Sequence, residues 1–154
     1  MDRVEDPATL LLVEDNEDDV EIVRRTLGRS GTAASLLVLR DASEAVEVLR
    51  ARTHEDPRSD VVLILDLLLP ISHGIDVIQA VRQDPALRDT PIVVLTGCSD
   101  IGLARRCMEL GTNMYLLKPL DVADVMNILL GVRRYWRQPG TPPKRPSQPA
   151  MQRN

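Results

Sequence analysis

The stretch Val61 to Pro70, VVLILDLLLP, limits what this chain can fold into more than any other. Five aliphatic residues, Val61, Val62, Leu63, Ile64 and Leu65, run without alternation into one carboxylate, Asp66. An apolar run with no polar face reads as a strand covered on both sides, the pattern of a central strand in a parallel sheet flanked by helices. In open parallel sheets ligands bind in the crevice beyond the carboxyl ends of the strands, which is where Asp66 falls.

The flanking segments supply the rest of such a sheet. Thr9 to Val13 (TLLLV) reads as a first strand followed at once by Glu14, Asp15 and Asn16. Asn16 caps a helix to about Leu27 that Gly28 and Gly31 end. Glu17, Asp18 and Asp19 in its first turn read as solvated charges favourable to the helix dipole. Ser35 to Leu39 is a second strand, and Asp41 with Glu44 forms a capping box for a helix to about Arg52, with Ala45, Val46, Val48 and Leu49 inward. Thr53 to Asp60 reads as a surface loop carrying His54. After the central strand a helix spans about His73 to Arg82, then Pro91 to Leu95 forms a fourth strand ending in Thr96. Ser99 is expected to cap a fourth helix that runs to Leu110 and stops at Gly111. Asn113 to Leu117 is a fifth strand ending in Lys118 and Pro119, and Asp121 caps a last helix to about Trp136. Five alternations with short connections predict an α/β fold: a single doubly wound, five-stranded parallel sheet in the flavodoxin-like order 2-1-3-4-5, helices on both faces.

Length and charge bound the function. At 154 residues, 44% of them hydrophobic, the chain fits one domain, read as residues 9–136 after a leader at 1–8. With no Phe, the core must be aliphatic. No apolar run approaches the roughly 20 residues of a membrane helix, and MDRVEDPATL lacks the shape of a signal peptide, so a cytoplasmic protein is expected. Cys98 and Cys107 match no zinc spacing and are expected to be reduced. Residues 137–154 are proline-rich and basic, with Arg137, Lys144, Arg145 and Arg153 and no acid, and read as a tail. Removing them from a net charge of −4 leaves −8 on residues 1–136, which argues against nucleic-acid binding by the domain.

Every strand except the second therefore delivers a polar group to one edge: Glu14 and Asp15, Asp66, Thr96, and Lys118. Three close carboxylates repel one another unless a cation intervenes, and Mg²⁺, which takes one or two carboxylates and leaves positions for phosphate oxygens, suits such a shallow acidic pocket. Lys118 then offers a charge and Thr96 a hydroxyl to the same anion. With a phosphoryl group in place, Asp66 is a candidate nucleophile forming an aspartyl phosphate, and an ionised carboxylate needs no general base for that attack.

The string LLVEDNEDD, the D-x-x-x-P of Asp66 and Pro70 with Gly74 four further on, Thr96 after PIVVL, and Tyr115 with Lys118-Pro119 together resemble the receiver domain of two-component response regulators. The resemblance covers about residues 9–136. It implies phosphotransfer from a sensor histidine kinase to Asp66, which makes the chain a signalling switch in a phosphorelay rather than an enzyme. It further implies Mg²⁺ held by Asp15, Asp66 and the backbone carbonyl of Leu68, with Glu14 acting through water, closure of Thr96 on the phosphoryl group as Tyr115 rotates inward, and a cis bond before Pro119. Gly97, where receivers often carry alanine, departs from the pattern and frees the backbone after Thr96. EDNEDDVEIVRRTL, the polar insert before the third strand and QDPALRDTPIVVLT resemble stand-alone regulators encoded beside bacterial phytochrome kinases, which implies a phytochrome as partner and no attached output domain.

Rival readings and one further surface remain. An aspartyl-phosphate phosphohydrolase would carry D-x-D, and Leu68 stands in the second acid's place. A flavin or nucleotide module would want a Gly- or Ser/Thr-rich phosphate loop after the first strand, where this loop is acidic. His73 and His54 read as solvent-facing. The last helix carries Val122, Val125, Met126, Ile128, Leu129, Leu130, Val132, Tyr135 and Trp136, an apolar set wider than one sheet-facing stripe, which predicts a homodimer through this helix.

Overall fold

The computed structural model describes residues 8–55, 60–67 and 74–132. In chain order the elements are β1 (Thr9–Val13), α1 (Glu17–Arg29), β2 (Ser35–Leu39), a 3₁₀ turn (Ala42–Glu44), α2 (Ala45–Glu55), β3 (Val61–Leu65), α3 (Gly74–Gln83), β4 (Ile92–Thr96), α4 (Ile101–Glu109), β5 (Met114–Leu117) and α5 (Val122–Gly131). The five strands form one parallel sheet in the order β2-β1-β3-β4-β5, as expected.

The unbroken apolar runs arise because each strand feeds two cores. Successive side chains of a strand leave on opposite faces. Leu11, Val13, Leu63, Leu65, Ile92 and Val94 therefore pack with Leu49 of α2, Ile78 and Val81 of α3 and Cys107 of α4. Leu10, Leu12, Val62, Ile64, Val93 and Leu95 pack on the other face with Val20, Val23 and Leu27 of α1 and with Val125 and Ile128 of α5. A strand that must fill both layers has no position for a polar residue until it ends, so Asp66 can appear only after Leu65.

Local chemistry departs from the sequence expectations at several ends. Helix α1 runs through Gly28 to Arg29, because the reversal needs only one left-handed residue, supplied by Gly31 at φ +69°. Asp41 accepts from the Ser43 N–H and tops the 3₁₀ turn, and α2 continues through Thr53 and His54, placing exposed His54 in a helix rather than a loop. Asp100, not Ser99, caps α4: its carboxylate accepts from the N–H groups of Gly102 and Leu103, an ionised acceptor suited to the positive helix end. Gly111, at φ +102°, follows α4 as anticipated. Asp121 and Asp124 form a reciprocal capping box on α5. His73, Tyr135, Trp136 and the tail lie outside the described residues.

Asn113, expected to open β5, instead precedes it as part of a clamp. The half-buried Arg82 guanidinium donates to the carbonyls of Arg88, Thr90 and Gly111 and to Asn113 Oδ1, which also accepts from the Ile92 N–H at 2.8 Å. This ties the end of α3 to the amino ends of β4 and β5, and burial pulls the Arg82 pKa down to about 10. Replacing Arg82 by Ala strands several acceptors at once. The expected outcome in urea unfolding is a loss of about 3 kcal/mol with an unchanged m-value.

Candidate functional site

Strand register builds the site. Val13 lies opposite Leu65 in the β1–β3 pairing, so the next residues, Glu14 and Asp66, arrive side by side. The Asp66 N–H donates to Val13 O at 3.2 Å and the Glu14 N–H to Leu39 O at 2.9 Å, which holds both backbones as the sheet gives way to loops. On the other side Thr96 ends β4 opposite Leu117 of β5, and the Lys118 N–H donates to Thr96 O at 2.9 Å. Gly74 brings α3 against this edge. A Cβ there would lie 2.9 Å from Leu67 Cδ2, 3.0 Å from Leu67 Cα and 3.2 Å from Asp66 O, so Asp66 and Leu67 can lie this close to α3 only because residue 74 is a glycine.

One oxygen from each of Glu14, Asp15 and Asp66 comes within 4.8 Å of the others, with Glu14 and Asp66 buried and Asp15 exposed. An all-carboxylate donor set with one open side fits a hard divalent cation that keeps part of its water shell. Leu68, the fourth expected ligand, lies outside the described residues.

The Lys118 ammonium sits among these acids. Its Nζ is 2.7 Å from Glu14 Oε2, 2.9 Å from Asp66 Oδ2 and 2.7 Å from Asp19 Oδ2. Burial pulls this ammonium toward neutrality, but its hydrogen bonds with Asp19, Glu14 and Asp66 outweigh that and its pKa is raised. Burial also raises the pKa of Glu14, against the lowering effect of Lys118 and of the Asn16 N–H that Glu14 accepts. Asp19 corrects the sequence reading: instead of a solvated helix charge it is the third partner of Lys118.

Thr96 and Tyr115 meet at the backbone of Cys98. Thr96 is fully buried, its Oγ1 accepts from the Cys98 N–H at 3.3 Å, and the buried Tyr115 hydroxyl donates to Cys98 O at 2.8 Å. Burial pushes the Tyr115 phenol up to about 12. The two side chains expected to act together thus hold one loop residue from both sides. Between them a Cβ on Gly97 would meet nothing within 4 Å, so space alone does not demand glycine there. The Lys118–Pro119 bond is cis, as the resemblance implied.

Residues 10–130 match the response regulator receiver domain family. The chain belongs to that family. It is 33% identical over 142 residues to the probable methanogenesis regulatory protein FilR2 of Methanothrix harundinacea, covering 90% of this chain and 92% of that protein. It is 32% identical over 144 residues to the response regulator Rcp1 of Synechocystis, covering 92% and 97%. The Mn²⁺-bound structure of Rcp1 aligns with this receiver at a TM-score of 0.65 and 31% identity, over 90% of this chain and all of that one. The structure of the phosphorylated cyanobacterial phytochrome response regulator RcpA aligns at 0.66 and 28%, with the same coverage.

Glu14 carries a pH signature. A carboxyl whose folded-state pKa is raised contributes stability that is present below its unfolded value and lost as pH rises through the folded one, so at neutral pH its charge destabilises the metal-free receiver. Glu14→Gln is expected to raise the thermal midpoint in chelator at pH 7, with the gain shrinking as pH falls toward 4, and to give a smaller rise in midpoint on addition of Mg²⁺ than the unsubstituted chain. Calorimetric melts with and without Mg²⁺ check both.

Proposed function

We propose that this receiver is a stand-alone, cytoplasmic phospho-acceptor that takes a phosphoryl group from a sensor histidine kinase onto Asp66 in a Mg²⁺-dependent step. The observation that carries the reading is the buried Asp66 carboxylate, within 4.8 Å of two further acids and 2.9 Å from the Lys118 ammonium. A cation would be held by Asp15, Asp66 and the carbonyl of Leu68, with Glu14 acting through water, and would supply charge neutralisation for the phosphoryl oxygens. The chain's own groups do the rest. Asp66 presents its oxygen, Lys118 faces the anion, and Thr96 leaves Cys98 to donate to the phosphoryl group as Tyr115 follows inward. The acids at this pocket and the −8 on residues 1–136 favour protein partners over nucleic acid.

Free thiols at Cys98 and Cys107 suit a reducing compartment. The likeness to RcpA supports a phytochrome as the kinase partner, whereas FilR2, at similar identity, is a probable methanogenesis regulatory protein. The phosphohydrolase alternative lacks a second acid at Leu68.

Incubation with acetyl phosphate and Mg²⁺ is expected to add one phosphoryl unit to the intact mass, and Asp66→Asn to abolish the gain. No gain in the unsubstituted chain overturns the proposal, and rapid turnover of small phosphomonoesters transfers it to the hydrolase.

The same reading includes a homodimer through α5. Val125 and Ile128 of this helix are buried, while Met126 and Leu130 are 47% and 45% exposed, an apolar surface left over after the sheet is covered. Light scattering at micromolar concentration is expected to give twice the 17.1 kDa chain mass, and Leu130→Glu to return it to one chain. A single-chain mass before substitution removes this part of the proposal.

A further inference from the structure

We propose that Asp19 is a positioning residue for phosphoryl transfer: it holds the Lys118 ammonium at the pocket when a divalent cation and a phosphoryl group engage the other carboxylates. The inference rests on the phosphotransfer reading above and adds a residue to it. An ammonium has three N–H donors, and Lys118 directs its Nζ at three carboxylates, Glu14 and Asp19 at 2.7 Å and Asp66 at 2.9 Å. Two of the three belong to the acidic cluster. A dication placed there takes lone pairs from Glu14 and Asp66 and repels Lys118 from the same oxygens. Attack of an Asp66 oxygen on phosphorus then forms the O–P bond and breaks the bond between phosphorus and the donor group, which leaves with the electron pair. Asp66 becomes an acyl phosphate and loses its own anionic charge.

Asp19 lies outside that exchange. It sits in the first turn of α1, its N–H bonded to Asn16 Oδ1 at 3.1 Å, on a helix anchored to the sheet through Val20 and Val23. Its side chain is 31% exposed against 2% for Glu14 and 7% for Asp66, so it stands at the rim, reaching over the cluster. Its neighbour Glu17 pairs instead with Arg40. A lysine side chain has four flexible carbons, and without a fixed partner its charge spreads over many positions. With Asp19 it keeps one bond throughout and turns the other donors toward the incoming anion.

The chain contains two lysines, Lys118 and Lys144, so lysine labelled with ¹³C gives two Cε resonances, the second serving as reference. With saturating Mg²⁺ and no phosphoryl donor, Lys118 is expected to remain distinct from Lys144 in the unsubstituted chain and in Asp19→Glu, and to move most of the way to the Lys144 position in Asp19→Asn. Phosphoryl uptake from acetyl phosphate is expected to fall about tenfold in Asp19→Asn and to recover to within about threefold in Asp19→Glu. An Lys118 resonance unmoved in Asp19→Asn overturns the proposal, as does unchanged uptake. If the unsubstituted chain takes up no phosphoryl group, the phosphotransfer reading fails, and the Lys118 spectrum alone decides whether Asp19 holds the ammonium.

Discussion

Three carboxylates gathered at one edge of a sheet repel one another, and the Lys118 ammonium, 2.7 Å from Glu14 and 2.9 Å from Asp66, offsets that repulsion. Its position is a consequence of strand pairing. Lys118 follows β5, which pairs with β4, which pairs with β3, which pairs with β1, so the lysine reaches Glu14, Asp19 and Asp66 only when these four strands are paired in that order. The ion pairs at this edge therefore report on four of the five strands. They also set the terms for any cation that enters, since the oxygens it needs already have a positive partner.

The sheet can hold such a charged edge because its interior is free of compromise. Odd and even positions of β1, β3 and β4 feed separate cores, and all fifteen of those residues are buried. Polar chemistry is thereby forced to the ends of the strands, where helix α1 and the loop held by Thr96 and Tyr115 overhang it. Mn²⁺-bound Rcp1 and phosphorylated RcpA share this architecture, so the fold occurs with a divalent ion and with a phosphoryl group in members of the family.

Much of this was legible before the structure. The apolar runs declared a buried parallel sheet because their period excludes a wet face, and the residue after each run named the edge. Glu14, Asp15, Asp66, Thr96 and Lys118 were placed at that edge in this way, and the alternation of segments led to the strand order. What escaped was side-chain reach across distant segments. Asp19 looked like any acid in a first helical turn, and nothing local distinguishes it from Asp18; its partner is 99 positions away. Asn113 has the polarity of a strand boundary, and only the approach of Arg82 makes it a clamp. Asp100 and Ser99 are both good caps, and the choice fell to the one whose carboxylate meets two helix N–H groups.

The two cations at opposite ends of the sheet differ in the kind of partner they keep. Arg82 is bound to peptide carbonyls and an amide oxygen, all of them neutral groups. Lys118 is bound to three anions, of which Glu14 and Asp66 belong to the acidic cluster and Asp19 stands outside it. The molecule thus has a keel and a helm: one pole tied by neutral dipoles, the other balanced between opposite charges.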